Sequence, residues 1–224
     1  MVQVVLTRPA VHDGPADARW PMRVGILVEC GRDGLEDVVV RRICDLRRAD
    51  GGEPAEIDIV PMDNKAQLIR ECGPAVARLL GNGCDRVVIL WDERPAWPRS
   101  GERLCWHNDR QDILANLAQA GVAQDAVCLV CIEREFESWL LFDEQMLRCV
   151  LCTPEHPKLL ASPPRNPDTS RNPKGAMTTL FRRHGKRYVD VQSARRFAQC
   201  LTSLNRLHRC RTFQRFVQCL TESQ

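Results

Sequence analysis

The chain has 224 residues, of which 44% are hydrophobic, and a formal net charge of +3. A chain of this length and composition can bury a proper core in one large or two small domains, so we expect a folded, soluble protein. No apolar stretch approaches the roughly 20 residues needed to span a bilayer, and the apolar run at residues 2–6 is too short for a signal peptide, which favours a cytoplasmic location without membrane contact.

The first part of the chain has no clear hydrophobic period. Residues 1–21 contain Pro, Gly and Asp without a helical or strand pattern, so we predict a mobile N-terminal extension. The first buried strand is expected directly after Met22. We therefore place the start of an α/β core at residue 22 and its end near residue 152.

Within this core, short apolar runs alternate with segments of helical period. The runs predict strands at 24–28, 57–60, 87–91 and 126–132. Helices are predicted at 35–48, after Asn64, around 113–117 and at 137–150. Gly73-Pro74 is expected to break or kink the helix after Asn64. Runs that are apolar at every position are typical of strands buried on both faces. The alternation predicts a mainly parallel, Rossmann-like sheet flanked by helices.

Acidic side chains follow three of the predicted strands. Glu29 follows the first strand, Asp92 follows the third, and Glu133, Glu135 and Glu137 follow the fourth. Because the carboxyl ends of parallel strands meet at one edge of the sheet, we expect these carboxylates to lie close together. Carboxylate oxygens are the ligands that Mg²⁺ prefers, so the pattern suggests a metal site, although each acid alone is also typical of a helix cap.

The twelve cysteines leave two interpretations open. The chain is too long and too rich in buried-strand pattern for a disulfide framework, which favours reduced, buried thiols. The pairs Cys128-x2-Cys131 and Cys149-x2-Cys152 are separated by 17 residues, a spacing found in zinc ribbons. Cys128 and Cys131 lie within one apolar run, however, where a spacing of three puts them on opposite faces of a strand and no Gly forms a turn. A zinc-ribbon nucleic-acid binder remains the less favoured alternative.

The C-terminal part of the chain is basic. Six prolines in residues 153–173 exclude regular structure and predict a linker or surface excursion, and residues 174–224 are expected to form a helical region packed on the core. Residues 161–224 carry 13 Lys and Arg against three acids, which indicates either a surface that faces nucleic acid or a set of solvated helix faces. The candidate phosphate contacts are Arg94, Lys174, Arg182, Arg183, Lys186 and Arg187.

Several of these segments together resemble a known fold. Glu29-Cys30-Gly31-Arg32-Asp33 after the first strand, Asp92 after a later one, and Glu137-Ser138-Trp139-Leu140-Leu141-Phe142-Asp143 after the next are similar to the TOPRIM fold of topoisomerases, primases and overcoming-lysogenization-defect nucleases. With Asn172-Pro173-Lys174, they most resemble an uncharacterised bacterial TOPRIM-like family, a domain of unknown function. The resemblance covers about residues 22–220.

The resemblance implies a phosphodiester-processing enzyme that uses Mg²⁺ or Mn²⁺. If the residue roles of TOPRIM domains apply to this chain, Glu29 is a metal ligand or general acid/base and Asp92 is the central metal ligand. Glu137 then completes the catalytic set. Asp33 and Glu135 are further candidate ligands. The substrate expected from the resemblance is DNA or RNA, and the expected partner is an ABC-type ATPase in an antiphage-defence setting.

Two positions depart from the TOPRIM pattern. Cys30 stands where a Gly is usual, and Arg94 stands where the second acid of Asp-x-Asp is usual, so that a ligand is replaced by a positive charge. Three alternatives follow: the site binds one metal weakly, it takes Glu135 or Glu137 as the missing ligand, or it has lost catalysis and the chain is an impaired module that binds an ATPase or nucleic acid. The chain lacks a P-loop, a dinucleotide fingerprint and a nucleophile elbow, which excludes the usual ATPase, dehydrogenase and α/β-hydrolase sites.

Overall fold

The structure is a computed structural model that describes residues 22–49, 56–94 and 106–221. The predicted N-terminal extension, residues 1–21, lies outside the described residues. Of the helix that begins at Trp106, the side chains are described from Asn108 onward.

Four parallel strands form the central sheet. They are β1 (Arg23–Val28), β2 (Glu56–Pro61), β3 (Arg86–Asp92) and β4 (Val127–Ile132), in the order β2-β1-β3-β4. The strands of the sequence prediction are therefore confirmed within one or two residues at each end. The prediction of an α/β, Rossmann-like fold with a parallel sheet is also confirmed.

Helices cover both faces of the sheet. The described residues contain α1 (Leu35–Ala49), α2 (Lys65–Gly81), α3 (Trp106–Gln119), α4 (Glu137–Leu141), α5 (Glu144–Leu151), α6 (Pro173–Arg183), α7 (Asp190–Cys200) and α8 (Arg211–Cys219). On one face, α1 and α4–α8 share a single apolar core with the sheet. On the other face, α2 and α3 form a second, smaller core.

The strands explain why both faces are covered. Along β1, Ile26 and Val28 belong to the larger core and Leu27 to the smaller one, and none of the three is exposed to solvent. Successive side chains of a strand point to opposite faces, so a run that is apolar at every position needs helices on both sides. Full burial of each such side chain is worth about 1.5–3 kcal/mol.

Helix α2 is continuous although it contains Pro74. Asn64 caps the helix as predicted, since its side chain accepts a hydrogen bond from Gln67 N at 3.0 Å. Pro74 has no N–H for the carbonyl of Arg70, and Asn116 Nδ2 on α3 donates to that carbonyl at 2.8 Å. Asn116 therefore compensates for the proline, and the break that the sequence predicted at Gly73-Pro74 does not occur.

The segment predicted as one helix over residues 137–150 forms two helices, α4 and α5. Asp143 separates them, because its side chain accepts hydrogen bonds from Gln145 N and Met146 N, both at 3.1 Å, and so begins a new helix. Asp143, the last residue of the Glu137–Asp143 motif, thus caps a helix.

The C-terminal helices pack on the core, and two disulfides attach them to it. Cys128 on β4 bonds to Cys219 on α8, and Cys149 on α5 bonds to Cys200 on α7, with Cα atoms 5.9 and 5.7 Å apart. For these four residues the expectation of reduced thiols is wrong, because α7 and α8 return to elements that are distant in sequence. Because Cys128 and Cys149 are each bonded to a distant cysteine, the two Cys-x2-Cys pairs do not form the zinc-ribbon site.

Residues 153–173 contain one 3₁₀ turn, Pro167–Thr169, and α6 begins at Pro173. Among the helices of residues 22–49, 56–94 and 106–221, none is both long enough and apolar enough to span a bilayer.

Candidate functional site

The sheet order positions a crevice at the carboxyl ends of β1 and β3. The chain passes from β1 to β2 on one side and then crosses to β3 on the other side of β1, so β1 and β3 meet at a topological switch point. Ligands of open α/β sheets bind in the crevice at such a point. Here the crevice is a cleft of about 330 Å³, which we call the acidic cleft. Of its described lining residues, seven are acidic, namely Glu29, Glu36, Asp63, Asp92, Glu135, Glu137 and Asp190, and three are basic, namely Arg32, Arg94 and Lys174.

Glu29 and Asp92 are joined directly across the switch point. The main-chain N–H of Asp92 donates to Glu29 Oε2 at 3.0 Å. Asp92 Oδ1 is buried and has no hydrogen-bond partner among the described residues. A buried oxygen without a partner costs about 1–3 kcal/mol, so this atom is suited to a ligand that would satisfy it.

Lys65 is a buried cation beneath this pair. It is 5% exposed and lies at the first position of α2. Its Nζ donates to the main-chain oxygen of Asp92 at 2.5 Å, and it lies 4.0 Å from Glu29 Oε2 and 3.7 Å from Asp109 Oδ2 on α3. The Lys65 ammonium group therefore connects the ends of β1 and β3 with α2 and α3. It partly neutralises the carboxylates of Glu29 and Asp109.

A second group of charges lines the other side of the cleft. Glu137, 3% exposed at the start of α4, accepts a hydrogen bond from the Tyr188 hydroxyl at 2.8 Å. Lys174 Nζ lies 3.9 Å from Glu137 Oε1 and forms an ion pair with Asp190. The main-chain N–H of Lys174 donates to Glu135 Oε2 at 2.8 Å, so the N-terminus of α6 is held against the end of β4. Lys174, predicted as a phosphate contact, is thus already paired with carboxylates.

Burial raises the proton affinity of the carboxylates in the cleft. It raises the pKa of Glu29 to about 7 even though Lys65 and the Asp92 N–H oppose the shift. Burial likewise raises the pKa of Glu137 to about 7, against the opposing effects of Lys174 and Tyr188. The pKa of Asp92 is raised well above its usual value, first by burial and then by the charges of Glu29, Glu36 and Glu137. Without a bound cation these carboxyls therefore hold their protons more readily than exposed acids do, and a cation in the cleft would favour their ionised forms.

Glu36 belongs to the cleft, although it was not among the candidate residues predicted from the sequence. It lies in the first turn of α1, and burial raises its pKa. Cys30, at the position where a TOPRIM domain usually has Gly, also lines the cleft, and its Sγ accepts a hydrogen bond from Asp37 N at 3.3 Å. The only sequence signal for Glu36 is its place in the first turn of the helix that follows β1, a position where acids are common for other reasons.

The structure brings together only part of the predicted site. Glu29, Asp92, Glu135, Glu137, Arg94 and Lys174 all line the acidic cleft. Asp33 does not line it: the residue has a left-handed φ of 61°, is 62% exposed, and its carboxylate lies 3.9 Å from Arg195. Glu93 also faces away, because its carboxylate accepts a hydrogen bond from the main-chain N–H of Arg134 and forms an ion pair with the Arg134 guanidinium.

The predicted basic contacts at the end of α6 lie away from the cleft. Arg182, Arg183 and Arg187 are exposed and do not line it. Arg183 is nine residues beyond Lys174, which corresponds to about 13 Å along the helix. Lys186 Nζ donates to the main-chain oxygens of Val150 and Leu151 at 2.9 and 3.1 Å and so satisfies the C-terminus of α5.

The donor chemistry of the cleft fits a hard divalent cation. Asp92 offers a buried oxygen that has no partner among the described residues, and Glu29 lies directly beside it. Within the described ranges, however, no three His, Cys, Asp or Glu side chains are arranged as a ready-made metal site. A Mg²⁺ or Mn²⁺ ion held here would therefore keep several waters, as Mg²⁺ does at sites with one or two carboxylates.

Comparisons with known proteins add no family assignment. No family model matches the chain, and no similar protein was found among curated proteins or solved structures. The function is therefore inferred from the geometry of the cleft.

Proposed function

We propose that this chain is a TOPRIM-like, Mg²⁺- or Mn²⁺-dependent nuclease or related phosphodiester-processing enzyme, with the acidic cleft as its active site. The observation that supports the proposal most is that Glu29, Asp92 and Glu137, which follow three different strands, line one cleft at the switch point of a parallel sheet. When these carboxyls are ionised they repel a phosphodiester unless a cation is present, which favours metal-assisted chemistry.

Each carboxylate has a distinct role in this proposal. Asp92 would hold the metal through Oδ1, the buried oxygen that lacks a partner among the described residues. Glu29 Oε2 is held by the Asp92 N–H, so Oε1 remains to accept a proton from the attacking hydroxyl or water. A carboxyl group with a pKa of about 7 is suited to proton transfer near neutral pH. The bound metal would stabilise the charge that develops on the phosphodiester oxygens.

Lys174 is the cation best placed to contact a phosphate in the cleft. Its ammonium group is oriented by Asp190 and Glu137, and these contacts raise its pKa although burial opposes the shift. It therefore stays protonated at neutral pH. Arg94 lines the same cleft, in the position where a second acidic ligand is usual.

A second candidate function is a catalytically impaired module that binds nucleic acid or an ABC-type ATPase. Two observations favour it: Arg94 replaces a ligand, and within the described residues no three-ligand metal group is preformed. The ATPase partner and the role in antiphage defence are parts of the proposal that follow from the TOPRIM resemblance.

Cleavage assays separate the two functions. Plasmid DNA, single-stranded DNA and a tRNA pool are incubated with Mg²⁺ or Mn²⁺ and with wild type, Glu29→Gln or Asp92→Asn. Glu144→Gln is the matched control, because Glu144 is an exposed acid of α5 paired with Arg148. Metal-dependent cutting that is lost in both cleft variants and kept in the control supports the nuclease. Absence of cutting by wild type, or cutting that survives both cleft substitutions, contradicts it.

A further inference from the structure

A second cleft, of about 560 Å³, lies beside the acidic cleft at the carboxyl ends of β3 and β4. The two clefts meet along the main chain: Asp92 and Arg94 line the acidic cleft, whereas Glu93 between them lines the second cleft. Its volume lies within the range of roughly 300–1,000 Å³ that is usual for small-ligand sites. The position next to the proposed active site makes it a natural place for the neighbouring part of a substrate.

The floor of the second cleft is apolar. Trp91 on β3 pairs in register with Cys131 on β4, and Leu129 lies two residues before Cys131 on the same face. Trp91 is buried, but Leu129 and Cys131 are half-buried because β4 is the edge strand of the sheet. This leaves an apolar surface partly open to solvent, on which a flat group such as a nucleobase can lie.

Two arginines on the walls lack carboxylate partners among the described residues. Arg110 comes from α3 and Arg215 from α8, so helices from both faces of the sheet contribute to the cleft, and both side chains are exposed. Arg215 Nε donates to the main-chain oxygen of Leu129 at 3.2 Å, which orients its guanidinium and leaves the two terminal nitrogens for a ligand. Guanidinium groups match the geometry of phosphate oxygens.

The described lining of the second cleft carries equal numbers of acids and arginines. Glu93 and Arg134 form an ion pair at 3.2 Å. Asp168 accepts hydrogen bonds from the Cys210 thiol at 3.1 Å and from Arg211 N at 3.5 Å, and Glu133 is exposed. Three acids, Glu93, Glu133 and Asp168, against three arginines, Arg110, Arg134 and Arg215, leave no net formal charge, whereas the acidic cleft has seven acids against three cations. A nucleic-acid strand is therefore repelled less here than at the acidic cleft.

We infer that the second cleft binds one nucleotide unit of a single nucleic-acid strand, next to the phosphodiester that lies at the acidic cleft. Its phosphate lies between Arg110 and Arg215, and its base lies over Leu129 and Cys131. This inference rests on the proposed function, because that function supplies the nucleic acid. In this inference the second cleft, rather than the exposed arginines at the end of α6, makes the main contact with the nucleic-acid strand. An extended peptide that pairs with the outer edge of β4 is the competing occupant.

Fluorescence anisotropy with short labelled oligonucleotides tests the inference, in EDTA so that binding does not depend on the metal. Single-stranded DNA and RNA of the same sequence are used in parallel, since both carry the phosphodiester backbone. Arg110→Glu is the main variant, because Arg110 is exposed and its replacement removes no described contact. Arg215→Ala is the second variant, and Arg78→Glu is the control, since Arg78 is exposed in the last turn of α2, outside both clefts.

We expect Arg110→Glu and Arg215→Ala each to weaken oligonucleotide binding about tenfold, and Arg78→Glu to change it less than twofold. The dependence of log K on log salt should also become shallower by about 0.7 for each phosphate of a single strand that the variant no longer binds. Unchanged affinity in Arg110→Glu overturns the inference, as does a loss that follows Arg182→Glu and Arg183→Glu instead, or binding of an extended peptide in place of both oligonucleotides. Metal-dependent cleavage that is lost in Glu29→Gln but unaffected in Arg110→Glu would leave the proposed function standing and remove only this inference.

Discussion

Replacing Glu29 by Gln should stabilise the metal-free protein above neutral pH. The pKa of Glu29 is raised from 4.5 to about 7 in the folded state, so the folded protein holds a proton that the unfolded chain has released between these pH values. Stability contributed by this group is therefore complete below about pH 4.5 and is lost as the pH rises through about 7. At about 1.36 kcal/mol per pKa unit, ionised Glu29 costs the folded state about 3 kcal/mol.

Gln mimics the protonated acid and still offers an oxygen to the Asp92 N–H. In EDTA at about pH 8, we expect Glu29→Gln to be more stable than wild type by about 2–3 kcal/mol, which for a chain of this size is a rise in Tm of roughly 5–10 °C. Near pH 4.5 the two proteins should be equally stable. Denaturation in urea, followed by circular dichroism at both pH values, measures the difference. A Glu29→Gln protein that is less stable than wild type at about pH 8, or a difference that does not change with pH, would refute the reasoning.

Three further substitutions test individual contacts of the acidic cleft. Asp33→Asn should leave the Mn²⁺ affinity within about twofold of wild type in an equilibrium titration, because Asp33 faces Arg195 and solvent; a tenfold loss would show that it reaches the cleft. Glu36→Gln should weaken Mn²⁺ binding by about threefold or more in the same titration, since one charge of the cleft is removed, and unchanged affinity would count against this. Lys65→Met should lower the free energy of unfolding in urea by about 3–5 kcal/mol, because buried Glu29 and Asp109 lose their shared cation, and a loss below about 1 kcal/mol would contradict that role.

The sheet and the main members of the cleft were predictable from the sequence for one physical reason. Side chains buried on both faces of a parallel sheet must be apolar, so β1, β3 and β4 stand out as apolar runs, whereas β2 at the edge contains Asp58. The residue that follows such a run lies at the carboxyl edge. Glu29 and Asp92 are therefore brought together by strand polarity alone, without knowledge of the loops.

Which acid after a strand enters the cleft could not be predicted, because it depends on the turn. After β1, Asp33 takes a left-handed conformation and donates its main-chain N–H to the Asp37 carboxylate at 3.0 Å, which leaves its side chain in solvent. Glu36, three residues later, lies in the first turn of α1 and lines the cleft. The TOPRIM resemblance made Glu29 and Asp33 candidate ligands of one site. The turn instead places the Asp33 side chain outside the cleft.

The role of Lys65 and the disulfides depend on contacts between elements distant in sequence. Lys65 is one of 32 basic residues, and only the packing of α2 beside β3 buries it next to Glu29. Cys128 and Cys219 are 91 residues apart and meet because α8 packs on the edge strand β4. Local spacing instead suggested the zinc-ribbon pairing of Cys128 with Cys131, which share one strand.

The most direct test of the account is a Mn²⁺ titration of the purified protein, in which electron paramagnetic resonance measures the free ion. Wild type, Asp92→Asn and the exposed control Glu144→Gln are compared at about pH 8, where Glu29 is ionised. The account predicts saturable Mn²⁺ binding that is weakened at least tenfold by Asp92→Asn and unchanged by Glu144→Gln. Absence of saturable binding by wild type, or equal affinity in wild type and Asp92→Asn, would contradict the assignment of the acidic cleft as a metal site.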